Sequence, residues 1–388
     1  MKVSVLARCA VGVCALGVML ASCESLQSTT PVPNSSHDVT ATGARGVAGP
    51  AMPSGLGPDS HHYKLMYIPA PEAQDYTLVL DSKRDLWYPS DFDSKTYTWT
   101  ISQFSTSGQK TYDVPAPCKS CAAPNDLNVS YGPDHRVWFG QCCEPYFGAM
   151  DDAGNTQYYP AGPACAGTGC NIVVGAALQG NIWFSAESSS NSALNLNVGY
   201  INAKTGKVTQ FGVPTDQTPS AGEIVIGPDK NLWFADDSNI GRVTPKGVVT
   251  LFPTDPKYYT DAQEIIVAPD GDLWYSSPNG AFVGRMSTSG GVLSTFIIKN
   301  GTTRQLVLGA DDHVWLSEAQ ALIRMTSPKT YQTYSINQKG GAECQPHGFA
   351  IGGDGNLWFS ETGYSTSGTC SLGLGTVAPR KRVSAEKI

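Results

Sequence analysis

The sequence predicts an all-β fold: a seven-bladed β-propeller of four-stranded antiparallel blades, closed by an N-terminal strand. Three observations carry this. Seven of the eight tryptophans stand in one local pattern: Leu86-Trp87-Tyr88, Val137-Trp138-Phe139, Ile182-Trp183-Phe184, Leu232-Trp233-Phe234, Leu273-Trp274-Tyr275, Val314-Trp315-Leu316 and Leu357-Trp358-Phe359. Their spacings of 51, 45, 50, 41, 41 and 43 residues match the period of a propeller blade or a helical pair. The runs between them are β-branched and aromatic and are split by Gly, Pro, Asn and Asp, which selects strands. The seventh unit lacks its last strand, and a spare strand precedes the first unit.

Within one unit the order reads Glu223-Ile224-Val225-Ile226, the turn Gly227-Pro228-Asp229-Lys230, then Asn231-Leu232-Trp233-Phe234-Ala235, Ile240-Gly241-Arg242-Val243 and Val248-Val249-Thr250-Leu251-Phe252. Asp and Gly in the first turn supply the local side-chain bond and the positive φ that a tight hairpin needs. Apolar residues on both faces of the Trp strand require burial on both faces, which blades stacked face to face provide, so the Trp is expected between neighbouring blades. After Leu374-Gly375-Thr376-Val377 the chain enters a charged tail. The missing strand is expected in Tyr63-Lys64-Leu65-Met66-Tyr67-Ile68-Pro69, whose pairing with the last blade would remove both free edges.

The ends place this body in a setting. Lys2 and Arg8 precede an apolar stretch from Cys9 to Leu20 and a small-residue ending, Leu20-Ala21-Ser22-Cys23, the layout of a cleaved export signal over 1–22. The apolar run is too short to span a bilayer. The ending resembles the bacterial lipobox, which implies acylation of Cys23; Glu24 in place of an Asp implies an outer-membrane lipoprotein facing the periplasm or the cell surface. Residues 23–60 are Ser, Thr, Pro, Gly and Ala with almost no large apolar side chain and read as a flexible tether. The propeller is expected over 61–379 and a charged tail over 380–388. Only the lipid would hold the protein, expected as a monomer, to the membrane.

Of eleven cysteines, eight follow Cys23: Cys118, Cys121, Cys142, Cys143, Cys165, Cys170, Cys344 and Cys370. An even number in an exported chain favours disulfides, although Cys118-x-x-Cys121 with Cys142-Cys143 also has a zinc-like spacing. Connectivity does not follow from sequence; Cys344 with Cys370 is the pair singled out. A net charge of −7, with no basic cluster before Arg380-Lys381-Arg382, excludes a nucleic-acid footprint. There is no Gly-x-Ser-x-Gly elbow, phosphate-cradling loop or His-Glu-x-x-His helix.

The stretches Gly227-Pro228-Asp229-Lys230-Asn231-Leu232-Trp233-Phe234, Ile240-Gly241-Arg242-Val243-Thr244-Pro245 and Gly353-Asp354-Gly355-Asn356-Leu357-Trp358-Phe359-Ser360-Glu361 resemble the virginiamycin B lyase (streptogramin lyase) family of seven-bladed propellers. The resemblance covers essentially the whole chain after the tether. It implies a carbon–oxygen lyase that opens a cyclic depsipeptide ester by elimination, with a His base and Mg2+ near acidic residues. The matching stretch is Pro346-His347-Gly348, with Glu361 three residues past Trp358. His347 is then the catalytic base and Glu361 a catalytic residue and metal ligand. Asp236 and Glu318 also fall three residues after their Trp and are further metal candidates. An imidazole titrates near neutrality and can take a carbon-bound proton, while a carboxylate can hold a hard cation that polarises an ester. A hydrogen-bonded structural role is the other reading of His347, and a strand-end salt bridge or turn cap that of Glu361. Two positions depart from the family: Gln345 stands where members carry an acid, and Arg304-Gln305-Leu306 where they carry a second His. The substrate would be a small cyclic ester. A non-catalytic propeller is the alternative, binding an envelope glycan, peptide or protein through the Cys-bearing insertions between Cys118 and Cys170.

Overall fold

The computed structural model describes residues 37–39, 65–69, 77–93, 98–105, 107–117, 125–142, 145–165, 170–190, 193–214, 220–257, 262–276, 282–298, 305–318, 321–327, 330–335, 344–352, 355–363 and 373–377. Seven four-stranded antiparallel units follow one another along the chain, each pairing in the order first, second, third, fourth strand. The first strands are Val79–Leu80, Asn125–Tyr131, Cys170–Leu178, Ile224–Ile226, Glu264–Val267, Leu306–Leu308 and Cys344–Ile351, for blades one to seven. Blades two and three are joined into one sheet by the single pairing Asn171↔Cys142, and His37–Val39 adds a fifth strand to the outer edge of blade two. That strand is the described part of the segment read as a tether.

Closure follows the sequence reading. Leu65–Pro69 lies beside Gly373–Val377, with Leu65 opposite Val377 and Pro69 opposite Gly373, so the fourth strand of blade seven comes from the N-terminal side. The first strands of successive blades touch around the whole circle, seventh to first included. The buried core obeys the same rule. Trp87 packs with Val129 and Phe139 of blade two, Trp233 with Ile265 and Tyr275 of blade five, and Trp315 with Phe349 and Phe359 of blade seven. Trp358 packs with Leu78 and Tyr88 of blade one. Each indole thus fills the space between its own blade and the next, and the seventh closes onto the first.

The turn before each second strand repeats with the same care. The residue three before the Trp has a positive φ in every blade: Arg84, His135, Gly180, Lys230, Gly271, Asp312 and Gly355. Only three of these are glycine, so four side chains accept a left-handed backbone that costs about 1–2 kcal/mol each. An Asp in the same turn repays part of that cost: Trp87, Trp138, Trp233 and Trp315 each donate the indole N–H to Asp81, Asp134, Asp229 and Asp311, at 2.9–3.1 Å. In blade three, where no Asp stands in the turn, the buried Trp183 indole N–H has no partner. In blade five Asp270 is drawn to Arg285 instead, and the Trp274 indole N–H is likewise left bare.

A disulfide joins Cys165 to Cys170 at the entry to blade three. Cys370 and the Cys344 side chain lie outside the described residues, as does Cys23.

Candidate functional site at the channel mouth

The first strands surround an axial cavity of about 480 Å³ lined from all seven blades. One register position in these strands, opposite the residue two past the Trp, governs the interior. It is Asn128 in blade two, Glu223 in blade four, Glu264 in blade five and Gln305 in blade six. Its side chain reaches to the next blade. The amide of Val174 donates to Asn128 Oδ1 (2.8 Å), that of Ile265 to Glu223 Oε2 (3.3 Å) and that of Phe349 to Gln305 Oε1 (2.8 Å). In blade one Thr77 Oγ1 does the same for Val129 (2.9 Å). Neighbouring inner strands splay too far apart to pair fully, and at these four junctions a polar side chain satisfies an otherwise exposed amide, worth about 1 kcal/mol each.

In blade seven the same position is Gly348, and the ladder is broken there. Pro346 lies opposite Glu361 and Phe349 opposite Phe359, so two residues, His347 and Gly348, face the single Ser360. This is a β-bulge in the first strand, set directly beside the rung that holds Glu361. Bulges re-aim a side chain and are frequent next to active sites. The structure therefore brings the backbones of His347 and Glu361 together at the strand ends that open on the mouth. Gln345 sits one rung further out, opposite Thr362. The side chains of Gln345, His347 and Glu361, and all of Arg304, lie outside the described residues.

The other two acids occupy the matching level of their own blades. Glu318 ends the second strand of blade six, opposite Ala321, and is half-buried; burial raises its carboxyl above the usual range. Asp236 ends the second strand of blade four, opposite Asn239, at 1% exposure. Burial first, then the charges of Asp237 and Glu187, push its carboxyl up to about 7 against the amide of Ser220, which donates to Oδ1 at 3.3 Å. Its acidic neighbours are thus in blades three and four. No three His, Cys, Asp or Glu side chains converge as a metal cluster among the described residues.

Sequence reasoning passed over Glu223 and Glu264. Their carboxyls hydrogen-bond each other across the blade four to five junction, inside the axial cavity. Burial pushes Glu223 up to about 7, and burial together with the Glu223 charge holds Glu264 well above its ordinary value. Two carboxyls this close resist ionising together, so the pair holds a proton between them more tightly than a free glutamate would. The available signal was the repeat itself: aligned on the Trp, these glutamates stand where blade seven has glycine.

The architecture and the mouth define a closed seven-bladed propeller whose axial channel is stitched by polar side chains. The model of the virginiamycin B lyase family matches residues 58–258 and 196–373, and the chain belongs to that family. The two overlapping matches reflect the repeat, which lets the model fit in more than one register. Among solved structures, a streptogramin B lyase is 24% identical over 81% of this chain and 97% of that chain, with a TM-score of 0.62. A catalytically inactive variant of virginiamycin B lyase from Staphylococcus aureus, solved with quinupristin, is 23% identical over 82% of this chain and 100% of that chain, at a TM-score of 0.64. YCF48 bound to D1 peptide is 14% identical over 87% of this chain and 100% of that chain, at 0.55. These likenesses concern the fold. A search of the curated proteins finds no match.

Proposed function

We propose that this protein opens a cyclic ester at the channel mouth by elimination, with His347 as the base. The bulge at His347–Gly348, one rung from Glu361, is the observation that carries the reading. A bulge of this kind re-aims the inserted residue relative to a regular ladder, as is frequent next to active sites. In the step, His347 takes a carbon-bound proton, the electron pair forms a carbon–carbon double bond, and the neighbouring C–O bond breaks to leave a carboxylate. A magnesium ion would be held by Glu361, with Gln345 on the adjacent rung and Glu318 in the neighbouring blade as further oxygen donors. Magnesium commonly binds through one or two carboxylates and keeps several waters, a requirement this donor set meets. When bound it would polarise the ester carbonyl. The test is turnover of a streptogramin B lactone with and without magnesium, in wild type and in His347→Ala with its far-UV spectrum unchanged. Absence of cleavage by the wild type ends this reading.

A second reading, a non-catalytic propeller for an envelope glycan, peptide or protein, is favoured by Gln345 and Arg304 standing where the family carries an acid and a His, and by one feature of the same face. The second and third strands of blade three, Asn181–Ser190 and Ala193–Asn202, pair as far as Ser190↔Ala193 and run five residues longer than their counterparts in blade four. At about 3.3 Å per residue they form a wall beside the mouth. Binding of the lactone by wild type without its opening selects this reading. We further propose that acylated Cys23 anchors the protein in the outer membrane; incorporation of a fatty-acid analogue that persists in Cys23→Ser would overturn that.

A further inference from the structure

We propose a second site, for a hard divalent cation, between blades three and four, built from Glu187, Asp236 and Ser220 and separate from the blade-seven mouth. Two consecutive backbone amides draw two carboxylates from different blades together. Ser220 N donates to Asp236 Oδ1 at 3.3 Å, and Ala221 N to Glu187 Oε2 at 3.5 Å. The other Asp236 oxygen, Oδ2, is buried without a partner, and so is the hydroxyl of Ser220, a residue only 7% exposed. Asp237, also 7% exposed, adds a like charge next to Asp236. The charged groups that act on Asp236 are Asp237 and Glu187, both acidic.

A buried carboxylate oxygen and a buried hydroxyl, each without a hydrogen bond, among acidic neighbours, form an arrangement that costs several kcal/mol unless something fills it. The donors are all oxygen, with no thiolate or imidazole, which selects a hard cation over a transition metal. Two carboxylates and a hydroxyl leave positions for water, as such ions accept.

Calcium and terbium are the probes. Terbium luminescence excited through tryptophan suits this place, because Trp183 and Trp233 precede Glu187 and Asp236 on the same strands. The expected result is sensitised terbium emission displaced by calcium, and a melting temperature that climbs with the logarithm of calcium concentration. Affinity should fall more than about a hundredfold in Asp236→Asn and again in Glu187→Gln, exceeding the loss expected from an outer-shell change. The signal should persist in Glu361→Gln, which separates this site from any metal at the mouth, whatever the outcome of the lactone assay. Ser220→Ala guards against misfolding in the charge variants, since it removes only a hydroxyl; it too should weaken binding. No terbium or calcium binding, or binding unchanged in Asp236→Asn and Ser220→Ala, overturns the proposal.

Discussion

Blades four and seven share their second strands almost letter for letter, Leu232-Trp233-Phe234 against Leu357-Trp358-Phe359, yet they meet the axial channel differently. In blade four the inner position is Glu223, which fastens the next blade by accepting the amide of Ile265. In blade seven the same position is Gly348, the ladder bulges, and His347 is the inserted residue. The repeat supplies equivalent addresses around a ring, and on the proposed function the glycine at one address would turn a fastener into a place for chemistry. The proposed function then predicts that stability and reactivity are separable by blade.

The largest effect is expected in blade seven. His347→Ala should lower lactone-opening kcat/KM by about 10²–10⁴-fold, the usual contribution of a general base, while the melting temperature stays near wild type. The opposite behaviour is expected of Trp233→Ala, which empties a fully buried indole site between blades four and five and should cost about 3–5 kcal/mol in denaturant titrations. Asp229→Ala, which strips the Trp233 indole of its 3.0 Å acceptor, should cost about 1–3 kcal/mol. The corresponding change at Asp270 should cost less, because the Trp274 indole already has no partner.

A pH experiment tests the fastener itself. Glu223 and Glu264 bind protons more tightly folded than unfolded, so the pair's stabilisation is complete below the ordinary glutamate value of 4.5. It should be lost as pH rises through about 7 and beyond. Denaturant titrations at pH 5 and pH 8 should show that decline in wild type, and Glu264→Gln, which keeps a permanent donor to Glu223, should flatten most of it. The smallest effect is expected at Lys230, whose φ of 64° suits glycine: Lys230→Gly should stabilise the protein by up to about 1 kcal/mol.

The fold was legible because tryptophan recurrence, turn chemistry and the orphaned N-terminal strand all point the same way. Residues 65–69 pair with 373–377 as the pattern requires. The turn Asp was read as a local cap; that it also receives the indole N–H needs coordinates, since the bond spans a bend whose shape the sequence does not state. The fasteners were illegible for a related reason. Thr77, Asn128, Glu223 and Gln305 share a register and a task but no side-chain chemistry, so no motif joins them. That His347 and Glu361 lie on the inner strands of blade seven was expected from their places relative to Trp358, whereas the bulge that sets His347 beside the Pro346–Glu361 rung was not, because a bulge leaves no mark beyond one glycine. Disulfide connectivity was open in the sequence, and the Cys165–Cys170 bridge is settled only by geometry.

The most direct test of the account is the mass of the product formed from a streptogramin B lactone. Elimination by His347 opens the ring without adding atoms, so the linear product should have the mass of the substrate and carry a new carbon–carbon double bond. A product heavier by one water would show hydrolysis, and would contradict the assignment of His347 as a base acting on carbon.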